Sequence, residues 1–344
     1  MEILSTTEAD IRRAAEALRR GFLVAFPTET VYGLGADAFN QTALACVFAA
    51  KGRPRFDPLI IHIAALDTLD RLADLSALTP DLREKAAILT ARLWPGPLTL
   101  ILPKRSVVPD LATSGLPTVA LRFPDHPAAQ ELIRLSTGAL AAPSANLFGR
   151  LSPVRMEHVR DQLGEQVDFI IDGGRTAVGV ESTVLDLSGG IPCILRPGGV
   201  SRGSIETLIG AVEFPGTSGE SKLVSPGLLK SHYAPWTPLT LHSPEAIAAL
   251  PYTAGEIFLF FSPATRNPWL AEQTRQGVVP PPERIWVLSD SGTTLAAAAN
   301  LFDLLHELDY LGVSCIRAEE APPMELGPAI NDRLFRASGS IRGA

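Results

Sequence analysis

Between residues 22 and 195 short apolar runs alternate with amphipathic helical stretches, and glycine or proline ends most of them. This alternation is the strongest constraint on the fold. A few consecutive apolar residues fit a strand buried in a sheet, whereas apolar positions three and four apart fit a helix lying on it. Strands are predicted at Phe22–Phe26, Leu59–Ile63, Leu98–Leu102, Thr118–Arg122, Ala139–Ala142, Phe169–Ile171, Ser182–Leu187 and Cys193–Leu195. The first helix is capped within Ser5–Thr7 and stopped at Gly21. Others are expected over Asn40–Ala50, Leu82–Leu93, Ala128–Leu135 and Val154–Leu163, the last with Ser152 as cap and Pro153 in its first turn. Short helices among many short strands predict an α/β domain on a twisted, open, mixed sheet.

The periodicity breaks near residue 210. The stretch EFPGTSGESKLVSPGLLKSHYAPWTPL is rich in Pro, Gly and Ser and reads as a linker, a lid, or both. Strands then return at Glu256–Phe261, Ile285–Leu288 and Ser314–Arg317, with helices at Thr293–Leu311 and Ala329–Ala337. That order predicts a second, smaller Rossmann-like α/β domain, although no G-x-G-x-x-G is present to mark a dinucleotide site. The expected organisation is a catalytic domain over 1–212, a linker over 213–236 and a C-terminal domain over 237–344.

Composition narrows the function classes. The chain has 344 residues, 46% of them apolar, which is enough for two buried cores. Thirty basic against 37 acidic side chains give a net charge of -7, the wrong sign for a chain that mainly grips nucleic acid. Three scattered cysteines, Cys46, Cys193 and Cys315, make neither a disulfide framework nor a thiolate zinc site. No apolar run is long enough to span a membrane, and the expected compartment is the cytoplasm.

The polar residues gather where strands end. Pro27–Gly35 (PTETVYGLG) follows the first strand, and its glycines would let backbone approach a ligand or simply close a turn. Lys51 and Arg53 flank Gly52 just past a helix end, where they can converge on a polyanion or pair with the helix dipole. Ala142–Asn146 leaves a strand toward the helix capped at Ser152, and Glu181–Val184 and Leu195–Gly199 repeat the pattern. His62 shares a strand face with Ile60, and Arg122 ends a strand. Together they describe a pocket lined by Lys, three Arg and several hydroxyls, suited to a substrate carrying phosphates and a carboxylate. No cysteine adjoins a histidine, and no H-E-x-x-H or P-loop is present, so a thiol nucleophile, the common zinc hydrolases and the common phosphoryl-transfer scaffold are not indicated.

In order, PTETVYGLG, KGRP, DPLIIH, PSAN, GVESTV and LRPGG resemble the YrdC-like domain of threonylcarbamoyl-AMP synthases. SPGLLKSHYAP and the closing LGPAINDRLFRAS resemble that family's longer two-domain form. The resemblance implies a nucleotidyltransferase that makes L-threonylcarbamoyladenylate from L-threonine, bicarbonate or CO2, and ATP, with Mg2+ carried on the nucleotide phosphates. It also implies a partner transferase that passes the threonylcarbamoyl group to adenosine 37 of tRNA. By the same resemblance Lys51 and Arg53 face ATP and serve catalysis. Asp57, Thr118, Ser144, Asn146, Ser152, Arg196 and Tyr233 also face ATP, while Thr30, His62, Arg122, Ala142 and Ser182 border threonine. No metal ligand from the protein is implied. Asp57 stands where the family usually has Asn, and Leu229-Lys230-Ser231 replace the usual Lys-Tyr-Arg. Two other readings compete. An RNA-binding module is disfavoured by the charge, and carbamoyl transfer of the hydrogenase-maturation type is disfavoured by the missing zinc-finger cysteines.

Overall fold

The computed structural model describes residues 1–215 and 233–339. They form two compact units, one of residues 1–148, 152–177 and 181–215, the other of 149–151, 178–180 and 233–339. Most of the expected linker, including Pro226, Gly227, Leu229, Lys230, Ser231 and His232, lies outside the described residues. Its described ends are anchored. Glu213 bridges to Cys193 in the first unit, and Trp236 and Thr237 donate backbone hydrogen bonds to Asp309 in the second, at 2.8 and 2.7 Å.

The first unit is built on ten described strands: β1 Glu2–Leu4, β2 Val24–Phe26, β3 Gly33–Asp37, β4 Ile60–Ile63, β5 Leu98–Pro103, β6 Thr118–Arg122, β7 Ala139–Ala141, β8 Phe169–Ile171, β9 Thr183–Asp186 and β10 Cys193–Arg196. Their order is β1-β8-β2-β3-β7-β4-β6-β5-β9-β10, with parallel and antiparallel pairs mixed as predicted.

Alternation along the central strands sorts side chains onto two faces. Ile61, Ile63, Leu98, Leu100, Leu102, Val119, Leu121 and Leu185 enter the large core. On the other face Ile60, Ile101, Ala120 and Val184 form only a small apolar floor. His62, Thr99, Thr118 and Arg122 fall in phase with that floor. One face is thus hydrophobic core, and the opposite face has room for polar chemistry.

Two strands of this sheet are absent from the prediction. β1 precedes the first helix and pairs in parallel with β8, burying Leu4. β3 was read as a glycine loop but pairs antiparallel with β2. A Cβ at Gly35 would lie 2.8 Å from the Phe26 ring, so this glycine makes room for an aromatic side chain of the neighbouring strand rather than for a ligand. The helix expected from Val154 begins at Met156, with no side-chain cap bond at Arg155. Ser152 is not its cap, because its hydroxyl hydrogen-bonds the Glu181 carboxylate. The Pro153 and Val154 carbonyls accept from Tyr32 and Thr176. By contrast, Asn40 caps the helix Gln41–Lys51, and Gly52, at φ 61°, ends it.

In the second unit β11 Leu239–His242, β12 Glu256–Phe260, β13 Ile285–Val287 and β14 Cys315–Glu319 are all parallel, in the order β11-β14-β12-β13. β11, which starts where the low-periodicity stretch ends, was not predicted. Phe258 and Phe260 project from one face of β12 onto Trp269. The helix Thr294–Asp309 is capped by Thr293. Among the described residues no helix is long and apolar enough to cross a membrane.

Candidate active site

The helix Gln41–Lys51 delivers Lys51 at its last position, inside the protein. Its ammonium donates to the backbone carbonyls of Ser144 and Asn146, each at 2.5 Å. The 143–146 loop is held in turn by β3 and its approach, through Leu34 N to Pro143 O at 2.7 Å and Ala145 N to Tyr32 O at 2.8 Å. Burial, reinforced by Arg53, holds Lys51 well below the usual lysine range, against an opposing pull from Asp57.

Arg53 and Asp57 form a buried ion pair at 2.9 Å. The guanidinium also donates to the carbonyls of Asp57 and Pro58, at 3.1 and 2.9 Å. Burial raises the Asp57 carboxyl above its ordinary value, while Arg53, Lys51 and Arg196 pull it down. Three cations from two segments of the chain therefore act on one carboxylate. Arg196, at the end of β10, donates to the Ser182 carbonyl at 2.9 Å and to its hydroxyl at 3.2 Å. The LRPGG loop lies directly on this segment, since a Cβ at Gly198 would come within 2.4 Å of Glu181 O, Ser182 C and Thr183 N.

A second cluster lies on the same sheet face. His62 and Arg122 are direct partners across parallel β4 and β6, and Thr99 on β5 is the next partner of Arg122. The Thr99 hydroxyl meets the Ser182 hydroxyl at 2.8 Å, which joins this cluster to Arg196. Burial, with help from Arg122, pushes the His62 imidazole down to about 3, so it is neutral at physiological pH. Its Nδ1 lies 3.3 Å from the Ile60 carbonyl, which makes Nδ1 the donor and leaves Nε2 as an acceptor. Arg122 forms an ion pair with Glu29 at 2.8 Å, both side chains more than nine-tenths buried.

The structure brings most of the predicted residues together. Lys51, Arg53, Asp57, Ser144, Asn146, Ser182 and Arg196 belong to one connected group, and His62 and Arg122 to the adjoining one. Thr30 is buried beside them in the chain segment of Glu29, its hydroxyl 2.8 Å from that of Thr28. Ala142 donates to the Ile60 carbonyl at 2.9 Å. Thr118 is half-buried at the start of β6, in phase with Arg122. Ser152 is buried against Glu181. Tyr233 belongs to the second unit, where its ring is 5.7 Å from that of Phe302 and 5.2 Å from the Arg333 guanidinium.

Sequence reasoning missed Glu29, Thr99 and Glu181. Three carboxylates, Glu29, Asp57 and Glu181, are buried here, each facing a cation or a hydroxyl. An acidic residue inside PTETVYG, directly after a buried strand, was the available signal for Glu29.

Comparison with known proteins places this geometry. A family profile described as "Telomere recombination", of the Sua5, YciO and YrdC proteins, matches residues 16–198. One described as "Threonylcarbamoyl-AMP synthase, C-terminal domain" matches residues 200–339. The threonylcarbamoyl-AMP synthase of Bacillus subtilis is 43% identical over 341 residues, spanning 98% of this chain and 95% of that protein. That of Pyrococcus abyssi is 42% identical over 345 residues, spanning 96% and 95%. The crystal structure of P. abyssi Sua5 complexed with L-threonine superposes with a TM-score of 0.84 at 39% identity, covering 99% of this chain and 98% of that one.

Proposed function

The chain belongs to the threonylcarbamoyl-AMP synthase family, in its long two-domain form, and from that premise we propose that it joins L-threonine, bicarbonate or CO2, and ATP into L-threonylcarbamoyladenylate, releasing pyrophosphate. It is a nucleotidyltransferase acting in the cytoplasm, and its product supplies the transferase that modifies adenosine 37 of tRNA. The observation that carries the reading is the convergence of Lys51, Arg53 and Arg196 on Asp57, beside the in-register pair His62 and Arg122.

The chemistry needs no side-chain nucleophile. A neutral threonine amine attacks the carbon of CO2, losing a proton, or that of bicarbonate, with loss of water, and gives a carbamate. A carbamate oxygen then attacks the α-phosphorus of ATP in line, and pyrophosphate leaves. The protein's contribution is placement and charge. Lys51, Arg53 and Arg196 meet the phosphates. A polyphosphate beside Lys51 favours its charged form and so offsets the cost of burying it. Asp57, Thr118, Ser144, Asn146 and Ser152 complete the nucleotide side. Arg122 takes the threonine carboxylate, and neutral His62 offers Nε2 to the threonine hydroxyl. Thr30, Ala142 and Ser182 border the amino acid.

Mg2+ would enter on the ATP phosphates. Among the described residues no three His, Cys, Asp or Glu side chains cluster as metal ligands would. Asp57 is the carboxylate closest to the phosphate-facing cations, and its pairing with Arg53 suits it poorly as a ligand.

The test is incubation with labelled bicarbonate, ATP and each amino acid in turn. Threonine-dependent pyrophosphate together with a labelled adenylate is the expected result. Pyrophosphate release that ignores threonine would overturn the assignment.

A further inference from the structure

Glu29 is a buried carboxylate of the site that the reading above leaves without a task. Its Oε2 lies 2.8 Å from Arg122 Nη2, with the two side chains 9% and 5% exposed. The contact is not aligned as a hydrogen bond. Among the described residues neither oxygen of Glu29, nor Nε or Nη2 of Arg122, has a hydrogen-bond partner. A buried carboxylate and a buried guanidinium that are paired but not hydrogen-bonded retain much of their desolvation cost. A pair kept only for stability would have its remaining lone pairs and protons taken up by the protein. This one keeps acceptors and donors side by side on the polar sheet face, with neutral His62 next to Arg122 on the neighbouring strand.

An α-amino acid is the complement of such a pair, because it carries an ammonium and a carboxylate on one carbon. We propose that Glu29 is the specificity-determining acceptor for the α-ammonium of the amino-acid substrate, so that Glu29 and Arg122 together read the zwitterion. The inference rests on the function proposed above and adds a residue and a selection rule to it. Amino acids enter with both charged groups engaged, while hydroxy acids and amines, which carry one each, leave a buried charge unanswered. His62 is excluded as the ammonium's counter-charge because it is neutral. Asp57 is excluded because Arg53 holds it among the phosphate-facing cations. Arg122 and His126 both act on Glu29, and His126 is itself held below its usual range by burial.

The test is calorimetric binding of L-threonine and of 3-hydroxybutanoate, which is threonine without its amine, to the full-length protein and to Glu29→Gln. For threonine the variant should bind about 10- to 100-fold more weakly, the range for losing a charged hydrogen bond. For 3-hydroxybutanoate it should bind equally or more tightly, since Arg122 is released from its internal partner. If Glu29 only props Arg122 in place, both ligands weaken together, and that result overturns the inference. Thermal melting checks that the variant is folded. If Glu29→Gln does not fold, Glu29→Asp is measured in its place, with threonine again expected to weaken while 3-hydroxybutanoate does not. Failure of the functional reading is separately visible, as wild-type protein that releases no threonine-dependent pyrophosphate.

Discussion

Gly198→Ala tests the assembly of the site without touching any group that meets substrate. A Cβ added there would sit 2.4 Å from three backbone atoms, Glu181 O, Ser182 C and Thr183 N. Carbon does not approach backbone this closely, so the chain must separate by roughly 1 Å, and neither side has a flexible side-chain end that could yield. Gly199 N to Glu181 O, at 3.0 Å, is the hydrogen bond that would stretch first. Overpacking of this kind costs about 1–3 kcal/mol. For a unit of this size that lowers Tm by roughly 2–12 °C. The displaced segment carries Ser182, which holds Arg196 and Thr99, and Glu181, which holds Ser152. Turnover should therefore fall at least about tenfold, because a site misplaced by 1 Å loses far more than its binding energy suggests. The control is Gly190→Ala, where an added Cβ meets nothing within 4 Å. The assays are differential scanning fluorimetry and threonine-dependent pyrophosphate release. Unchanged melting and unchanged turnover in Gly198→Ala would refute the claim that close backbone packing sets the geometry of Arg196.

Other changes probe the charges directly. Lys51→Ala or Arg53→Ala should each lower turnover about 100-fold, as when a preorganised charge-stabilising group is removed, and near-normal pyrophosphate release by both would remove them from the mechanism. Asp57→Asn deletes a negative charge among three cations but keeps an acceptor for Arg53. ATP should bind about tenfold more tightly, equivalent to about 1.4 kcal/mol, with threonine affinity unchanged in calorimetry. His62 has a folded-state pKa of about 3 against an ordinary 6.5. The unfolded chain therefore takes up the extra proton, and stability is lost as pH falls below 6.5, by about 1.4 kcal/mol per unit until about pH 3. Between pH 7 and about pH 5, urea unfolding of wild type should lose about 2 kcal/mol more than His62→Gln; parallel losses would mean the imidazole is not buried neutral.

How much of this was legible in the sequence depended on the kind of physics involved. Helix ends written in local chemistry, such as Asn40 and Gly52, were readable because caps are local. β3 was not, because its pairing with β2 depends on Gly35 accepting the Phe26 ring, a contact between strands. Ser152 was misread for the same reason. A serine before a proline looks like a cap until Glu181, distant in sequence, takes its hydroxyl. Within the site, Lys51, Arg53, His62, Arg122 and Arg196 stood out as charged or titratable groups at the edges of apolar runs. Glu29 did not, since its significance lies in Arg122, whose position only the sheet order fixes. The family resemblance supplied what spacing could not, namely which substrate group each residue would face.

The pairing of His62 with Arg122 and of Leu98 with Thr183 joins strands far apart along the chain. Contacts of such long sequence separation close late and slowly in folding. No fragment that stops short of β9 contains both halves of the pocket, and a nascent chain cannot consume ATP until almost the whole first unit has been synthesised and its strands have met. Enzymatic activity thus reports completed folding of that unit, and adenylate formation can be followed in refolding experiments as a readout that intermediates do not contaminate.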